Sequence, residues 1–239
     1  MTRILIIGGT DSSGGAGITC DTSVAYEFGC HVSPVVTCVT AQSNRSVQAL
    51  HPLPADMIHA QIAAACEQGP PDAIKIGMVG SKDCANAIKD ALAPYRTIPV
   101  ILDPVLRASS GGRLTQIHAL DGLIAMSALI TPNLDEAAAL SNQAVAQSHA
   151  ALTAQGAFLR TKGAKSVLIK GGHGQGDTCC DTLFTDDAEQ SYCTERFAQN
   201  KRGTGCALAT AIACTLARGH SLAKACDVAK KFISEWIQR

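Results

Sequence analysis

Gly203-Thr204-Gly205-Cys206 leads directly into the apolar run from Ala207 to Ala217, so the chain sets a tight turn and a thiol where a helix begins. The first amides of a helix lack intrahelical acceptors, and together with the helix dipole they favour negative charge. Phosphate is the natural ligand of such a place. In this anion hole Cys206 would stand as a nucleophile or a base, its pKa drawn down by about one unit at most by the dipole. The other use of a cysteine here is a small buried residue opening an amphipathic helix.

Further polar groups fall where strands should end. The loop Gly8-Gly9-Thr10-Asp11-Ser12-Ser13-Gly14-Gly15-Ala16-Gly17 follows an apolar run and precedes a helical one, where phosphate loops of α/β proteins occur. It has neither the G-K-[ST] of a Walker loop nor the G-x-G-x-x-G of a dinucleotide fold. It suits the close approach of a flat or compact ligand, or a turn with no ligand at all. Asp103, after Val100-Ile101-Leu102, is placed to bind Mg²⁺ or a water on a phosphate-bound metal. Asn133 and Glu136 follow Leu129-Thr131 and look back over a helix N-terminus, a spacing that also makes a capping box. Lys170-Gly171-Gly172-His173 offers a cation and backbone amides to nucleotide phosphates, unless Lys170 is simply solvated. The first three of these polar clusters and the anion hole together favour phosphoryl transfer.

The elements that must hold these groups are legible as alternation. Strand-length apolar runs at Ile4-Gly8, Val32-Val39, Ala73-Val79, Val100-Val105, Leu129-Thr131 and Ser166-Gly171 are separated by helix-period segments at Ile18-Phe28, Pro54-Gln68 and Lys82-Leu92. This pattern predicts a parallel sheet covered by helices. Asp181-Phe184 and Ser191-Phe197 read as a late hairpin, and Cys206-Arg218 and Leu222-Ile237 as two closing helices. With 239 residues, 46% hydrophobic, and no repeat or linker, one domain over 1–239 is expected.

Charge and cysteine content narrow the function classes. Twenty basic and twenty acidic residues leave no electrostatic footprint for nucleic acid or an anionic membrane. The apolar start is too short for a signal peptide and no run approaches a membrane span, so a cytoplasmic protein is expected. The eleven cysteines include no C-x-x-C pair, and most sit in apolar segments as reduced hydrophobes. The seven histidines form no zinc motif.

The motifs taken in order resemble those of the hydroxymethylpyrimidine and phosphomethylpyrimidine kinases of thiamine biosynthesis, a branch of the ribokinase-like superfamily. They are the loop Gly9 to Ile18 with Asp21 after it, Ala41-Gln42, Lys75 to Met78, Leu102 to Val105, Thr131 to Ala137, Lys170 to His173, and Gly203 to Cys206. The resemblance implies an α/β fold, a ribokinase-like three-layer sandwich with a mostly parallel central sheet flanked by helices on both faces. It implies an ATP-dependent, Mg²⁺-assisted kinase acting on 4-amino-5-hydroxymethyl-2-methylpyrimidine and on its monophosphate. Gly9, Ala16, Asp21 and Gln42 would hold the aminopyrimidine, and Met78 and Val105 would line its pocket. Nucleotide and metal would lie near Lys170, Asn133, Asp103, Glu136 and the Gly203-Gly205 amides, with Cys206 as the base.

The chain departs from the family pattern at Ser12, where proline is usual, at Arg202, where histidine is usual, and at Thr40, near the pyrimidine, where the residue is often aliphatic. It also stops at Arg239, soon after its last helix, whereas relatives commonly continue. The rival readings are a pyridoxal or pyridoxine kinase on the same fold and a pyrimidine-binding regulatory protein without turnover. The expected partner is a small pyrimidine, with no nucleic acid or membrane, and the expected assembly is a homodimer.

Overall fold

The computed structural model describes residues 1–108, 112, 114–172, 176–197 and 201–239, and the expected motif residue His173 lies outside them. The chain runs β1 (Arg3–Gly9), α1 (Gly17–Glu27), β2 (His31–Gln42), β3 (Val47–Pro52), α2 (Ala55–Ala65), β4 (Ala73–Ile76), α3 (Lys82–Ala91) and β5 (Val100–Leu102). There follow α4 (Asp121–Met126), β6 (Leu129–Ile130), α5 (Leu134–Ser141), α6 (His149–Thr161), β7 (Val167–Ile169), β8 (Thr178–Phe184), β9 (Glu189–Glu195), α7 (Thr204–Ala217) and α8 (Leu222–Ile237). All strands join one sheet in the order β3-β2-β1-β4-β5-β6-β7-β8-β9. The six central strands are parallel, and β3, β8 and β9 are added antiparallel at the two edges.

Side-chain alternation decides what each face buries. Leu5 and Ile7 of β1, with Val100 and Leu102 of β5, enter a core against α2 to α6, where Ile58, Ile88 and Leu159 meet them. Ile4, Ile6, Ile101 and Leu129 face the other way, into a core closed by α1, α7 and α8. The result is the expected helix–sheet–helix sandwich. β1 has β2 on one side and β4 on the other, so strand order reverses there. In open sheets of this kind, ligands bind beyond the strand carboxyl ends at such a reversal.

The expected strands are present but several end early. Ala73-Val79 is strand only to Ile76, Val100-Val105 only to Leu102, and Ser166-Gly171 covers Val167–Ile169. Each chain leaves the ladder at the carboxyl edge, where its last backbone groups cross to a neighbour, as Gly77 N–H donates to Ile7 O and Asp103 N–H to Ile76 O, both at 2.8 Å. The hairpin is longer than its apolar pattern, and its register sets Cys180 opposite Cys193, which form a disulfide. That pair departs from the expectation of reduced cysteines; the remaining nine are free, and most are buried. No helix among the described residues is long and apolar enough to cross a membrane.

Gly156 lies inside α6 with the Phe184 ring pressed against it, and a Cβ there would stand 2.6 to 2.9 Å from three ring carbons. Helix propensity favours alanine over glycine by about 1 kcal/mol, whereas overpacking a core costs about 1–3 kcal/mol. Because Phe184 is buried in the core of that face, the clash outweighs the propensity. Gly156→Ala is expected to lower the melting temperature by a few degrees, about 2–4 °C per kcal/mol for a chain this long. A calorimetric scan showing stabilisation would contradict this packing.

Candidate active site

Two glycine-rich turns are locked together at the carboxyl edge of the sheet. β1 runs out at Gly9, the loop folds back through a Gly14 N–H to Asp11 O bond of 2.9 Å, and α1 starts at Gly17. Gly17 has φ +61°, and a Cβ on it would meet Gly9 O at 2.4 Å. The N-cap of α7 is Gly203 at φ +77°, where a Cβ would stand 2.3 Å from Gly15 O. Only glycine permits both the left-handed conformation and this backbone approach. No side chain caps α7, which suits a helix end whose amides are held for an anion.

The charges around that helix end come from separate strands. Lys170 Nζ donates to Asp103 Oδ1 at 2.8 Å, and Thr131 Oγ1 lies 3.4 Å from the same oxygen. A Cβ on Gly205 would stand 3.0 Å from Lys170 Nζ and 3.7 Å from Asp103 Oδ2, so both groups sit over the first turn of α7. Burial works against the Asp103 carboxylate, yet Lys170 and then Lys75 outweigh it and hold its pKa below the ordinary value. Asn133 and Glu136 form the full capping box of α5, with Asn133 N–H donating to Glu136 Oε2 at 2.9 Å and Glu136 N–H to Asn133 Oδ1 at 2.8 Å. Burial pushes Glu136 up to about 7, against Lys170, while Asp103 adds to the rise.

One cleft of about 580 Å³ is lined by every site residue the sequence singled out, from Gly9 and Gln42 to Lys170 and Cys206. Gln42 ends β2 at a bulge against β3. Met78 packs against Gly9, where a Cβ would stand 2.9 Å from its sulfur, and it shares a small apolar cluster with Val105, Cys38 and Leu114. Thr40 is turned to another use: its hydroxyl donates to Thr10 O at 2.8 Å, tying β2 to the first loop. Asp21 is fully buried with both oxygens occupied, by Lys75 Nζ at 2.7 Å and Thr210 Oγ1 at 2.8 Å. Its charge is therefore committed to Lys75, which lines the same cleft.

Lys75 opens one of the motifs, but the sequence reading gave it no role. It is 1% exposed on a central strand, and Asp21 keeps its ammonium charged against the burial that would neutralise it. A charge inside the apolar Ala73-Ile74-Lys75-Ile76 was the available signal, since strands buried on both faces rarely carry one. Lys230 is a second such cation, 3.0 Å from Asp181 at the other end of the cleft.

Cys206 corrects an expectation. The helix dipole was expected to draw its thiol down, but burial pushes it up to about 11; Lys75 opposes this, and Asp21 and Asp103 reinforce it. The dipole acts on a group at a helix end, whereas this half-buried thiol is also desolvated on the cleft wall and feels the Asp21 and Asp103 carboxylates.

Asp103 and Glu136 are suited to a magnesium ion that arrives with a nucleotide. No group of three or more His, Cys, Asp or Glu is assembled for a metal among the described residues. Mg²⁺ commonly takes one or two carboxylates and completes its shell with phosphate oxygens and water. An ionised Asp103 beside a second carboxylate matches that demand.

Comparison with known proteins gives a consistent result. The family described as phosphomethylpyrimidine kinase matches residues 11–239. A hydroxymethylpyrimidine/phosphomethylpyrimidine kinase of Staphylococcus aureus (strain MSSA476) is 35% identical over 240 residues, covering 98% of this chain and 87% of the relative. The enzyme of the same name from Escherichia coli (strain K12) is 36% identical over 241 residues, covering 98% and 91%. Among solved structures, the phosphomethylpyrimidine kinase of Clostridium difficile 630 superposes with a TM-score of 0.86 at 33% identity, covering 99% of this chain and 100% of that one. The pyridoxal kinase of Staphylococcus aureus in complex with pyridoxal gives a TM-score of 0.89 at 28% identity, covering 100% and 88%.

The raised pKa of Glu136 has a consequence for stability. Between the ordinary value of 4.5 and about 7 the folded chain keeps a proton that the unfolded chain has lost, so stability falls as pH rises through that window. Glu136→Gln preserves an acceptor for Asn133 N–H and removes the titration. Urea unfolding should show the variant gaining on the parent between pH 5 and pH 8, by on the order of 1–3 kcal/mol. A difference that is the same at both pH values would mean that Glu136 is ionised throughout.

Proposed function

The chain belongs to the phosphomethylpyrimidine kinase family, and on that premise we propose how its cleft works. It moves the γ-phosphoryl group of ATP onto the hydroxymethyl oxygen of 4-amino-5-hydroxymethyl-2-methylpyrimidine, and then onto the phosphate of that product. The observation that carries the reading is the convergence of Lys170, Asp103 and the uncapped first turn of α7 on one cleft. Phosphoryl transfer asks little covalent chemistry of a protein and much positioning and charge neutralisation.

Each role then has a proposed holder. The amides at Gly203, Thr204 and Gly205 receive the transferred group, Lys170 neutralises phosphate charge, and Asn133 orients the nucleotide. Asp103 and Glu136 would hold Mg²⁺, which when bound supplies Lewis-acid stabilisation of the phosphate oxygens. Gln42 reads the polar edge of the ring, Gly9 and Ala16 let backbone approach it, and Met78 and Val105 flank it. Asp21 acts by keeping Lys75 in place. The proposal extends to a homodimer that binds neither nucleic acid nor membranes and works in the cytoplasm; light scattering checks its assembly.

Cys206 is the proposed acceptor of the alcohol proton, and its raised pKa sets a condition on that role. In the free enzyme at pH 7 the thiolate is a minor species. The rate of the first transfer should therefore climb with pH through 8 and 9. The second acceptor has no such need, because a phosphate monoester with a second pKa of about 6 is already ionised.

Mass spectrometry of the products from the pyrimidine alcohol and ATP tests the function directly. One and then two added phosphoryl groups are expected; no transfer would refute the reading. A pyridoxal acceptor is the second reading, favoured by the overlay on the pyridoxal kinase, and competition between the two alcohols decides between them.

Two substitutions test the assignments. Gln42→Leu leaves polar ring atoms unpaired at a cost of about 1–3 kcal/mol, so the pyrimidine KM should rise strongly with little change for ATP. An unaltered pyrimidine KM would remove Gln42 from the acceptor site. General-base help is worth about 10²–10⁴ in rate, so Cys206→Ser should slow the alcohol step by that factor and spare the phosphate step. Equal rates for parent and variant on the alcohol, from pH 6 to 9, would make the thiol a packing group.

A further inference from the structure

Arg202 immediately precedes the left-handed glycine that opens α7, and its guanidinium joins three segments far apart in sequence. One terminal nitrogen donates to Asp11 Oδ2 at 2.9 Å. The other donates to Ser13 Oγ at 2.6 Å and to Asn44 Oδ1 at 2.8 Å, with Ser43 O further off at 3.4 Å. These partners lie 158 to 191 residues away along the chain. Asp11 in turn accepts from Ser13 N–H at 3.0 Å and Ser13 Oγ at 2.7 Å, so the fork closes on a loop that is already folded on itself. The neighbouring Ser12 hydroxyl donates to Thr40 O at 2.5 Å and accepts from Gln42 N–H at 3.3 Å, fixing the same loop to the end of β2.

We propose that Arg202 is the positioning residue of the acceptor end of the cleft, latching the first loop and the β2–β3 turn to the anion site so that the acceptor ring is held in line with the transferred phosphoryl group. The inference deepens the kinase reading given above and rests on it. Three features direct it to positioning rather than to binding phosphate. Most of the guanidinium donors are taken up inside the latch, and Nε is buried without a partner among the described residues. The Asp11 carboxylate, 2% exposed, matches the positive charge. The segments that are joined carry Gly9, Ala16 and Gln42 on the cleft wall, and neither Arg202 nor Asp11 belongs to a hydrophobic core cluster.

The planar fork is what allows one side chain to reach a carboxylate, a hydroxyl and an amide together, a geometry that an ammonium cannot reproduce. Arg202→Met should lower kcat/KM for the pyrimidine alcohol by about 10–100-fold, the scale expected when a reacting group is displaced by about an ångström. The KM for ATP should stay within about twofold of the parent, since the nucleotide end is built from other strands. Arg202→Lys keeps the charge and should recover only a minor part of the loss.

Amide hydrogen exchange on the substrate-free protein supplies a readout independent of turnover. Exchange at residues 12–16 and 43–46 should be faster in Arg202→Met, with the β1 and β4 amides unchanged. Equal losses for alcohol and ATP, or an unchanged kcat/KM with unchanged exchange, would overturn the latch. If Arg202→Met fails to fold, Asn44→Ala and Ser13→Ala, which leave the Asp11 pair in place, must show the same selective loss at smaller size. A parent enzyme that transfers nothing to the pyrimidine alcohol would overturn the acceptor role through the kinase reading itself; exchange that still responds to Arg202 would mark the failure as one of substrate rather than of geometry.

Discussion

A cation taken out of water costs several kcal/mol unless a carboxylate comes with it, and a cleft that handles phosphates needs cations in a dry place. The rest of the structure is arranged around this conflict. Lys75 pairs with Asp21, Lys170 with Asp103, Arg202 with Asp11 and Lys230 with Asp181, and all eight side chains are mostly or wholly buried. In every pair the cation and the carboxylate come from different elements, so the charges can be held only when the sheet, α1 and α7 are assembled. Neutrality is local even though the cleft must attract anions. The uncapped amides of α7 resolve this, because they add positive potential without another buried ion.

The interlock of the two glycine turns follows from the same demand. Hydrogen bonds aimed at a developing charge stabilise it only if they are fixed beforehand. Gly203 and Gly15 are in backbone contact, and Gly17 lies on the carbonyl of Gly9, so neither turn can shift without the other. Alanine at either close approach would place a methyl group inside a backbone oxygen's radius. The glycines here serve proximity as much as conformational freedom, which is why the first loop matches no phosphate fingerprint and still lines the cleft.

What the sequence disclosed and what it hid divide along range. Strands β1 and β4 to β7 announce themselves because both of their faces are buried, β2 by its apolar run although part of it is exposed, and the polar groups that follow them mark the carboxyl edge. β3 is a half-exposed edge strand with no alternation to read, and α6 buries only Gln155, Gly156 and Leu159, too little contrast for a helical stripe. Glu136 was legible as a cap and as a carboxylate because its partner is three residues away. Lys75 stood in a motif and Arg202 at a departure from one, but neither could be given its partner, since Asp21 lies 54 positions from the one and Asp11 lies 191 from the other. The thiol of Cys206 was misjudged in sign for the same reason: a helix end can be inferred locally, whereas the burial of the thiol and the influence of Asp21 and Asp103 cannot.

The overlay on both pyrimidine and pyridoxal kinases turns on how little a shared cleft says about its acceptor. Apolar walls such as Met78 and Val105 discriminate weakly, since one methylene is worth only about 1–3 kcal/mol. A polar group that must be satisfied discriminates by orders of magnitude more, because the wrong ring leaves it buried and unpaired. Selectivity between two flat heteroaromatic alcohols must therefore lie where side-chain donors and acceptors are held rigidly against the ring edge. On the proposed placement of the acceptor, that place is the end of β2 beside the first loop, where hydrogen bonds of Ser12, Thr40 and Arg202 tie the segments together.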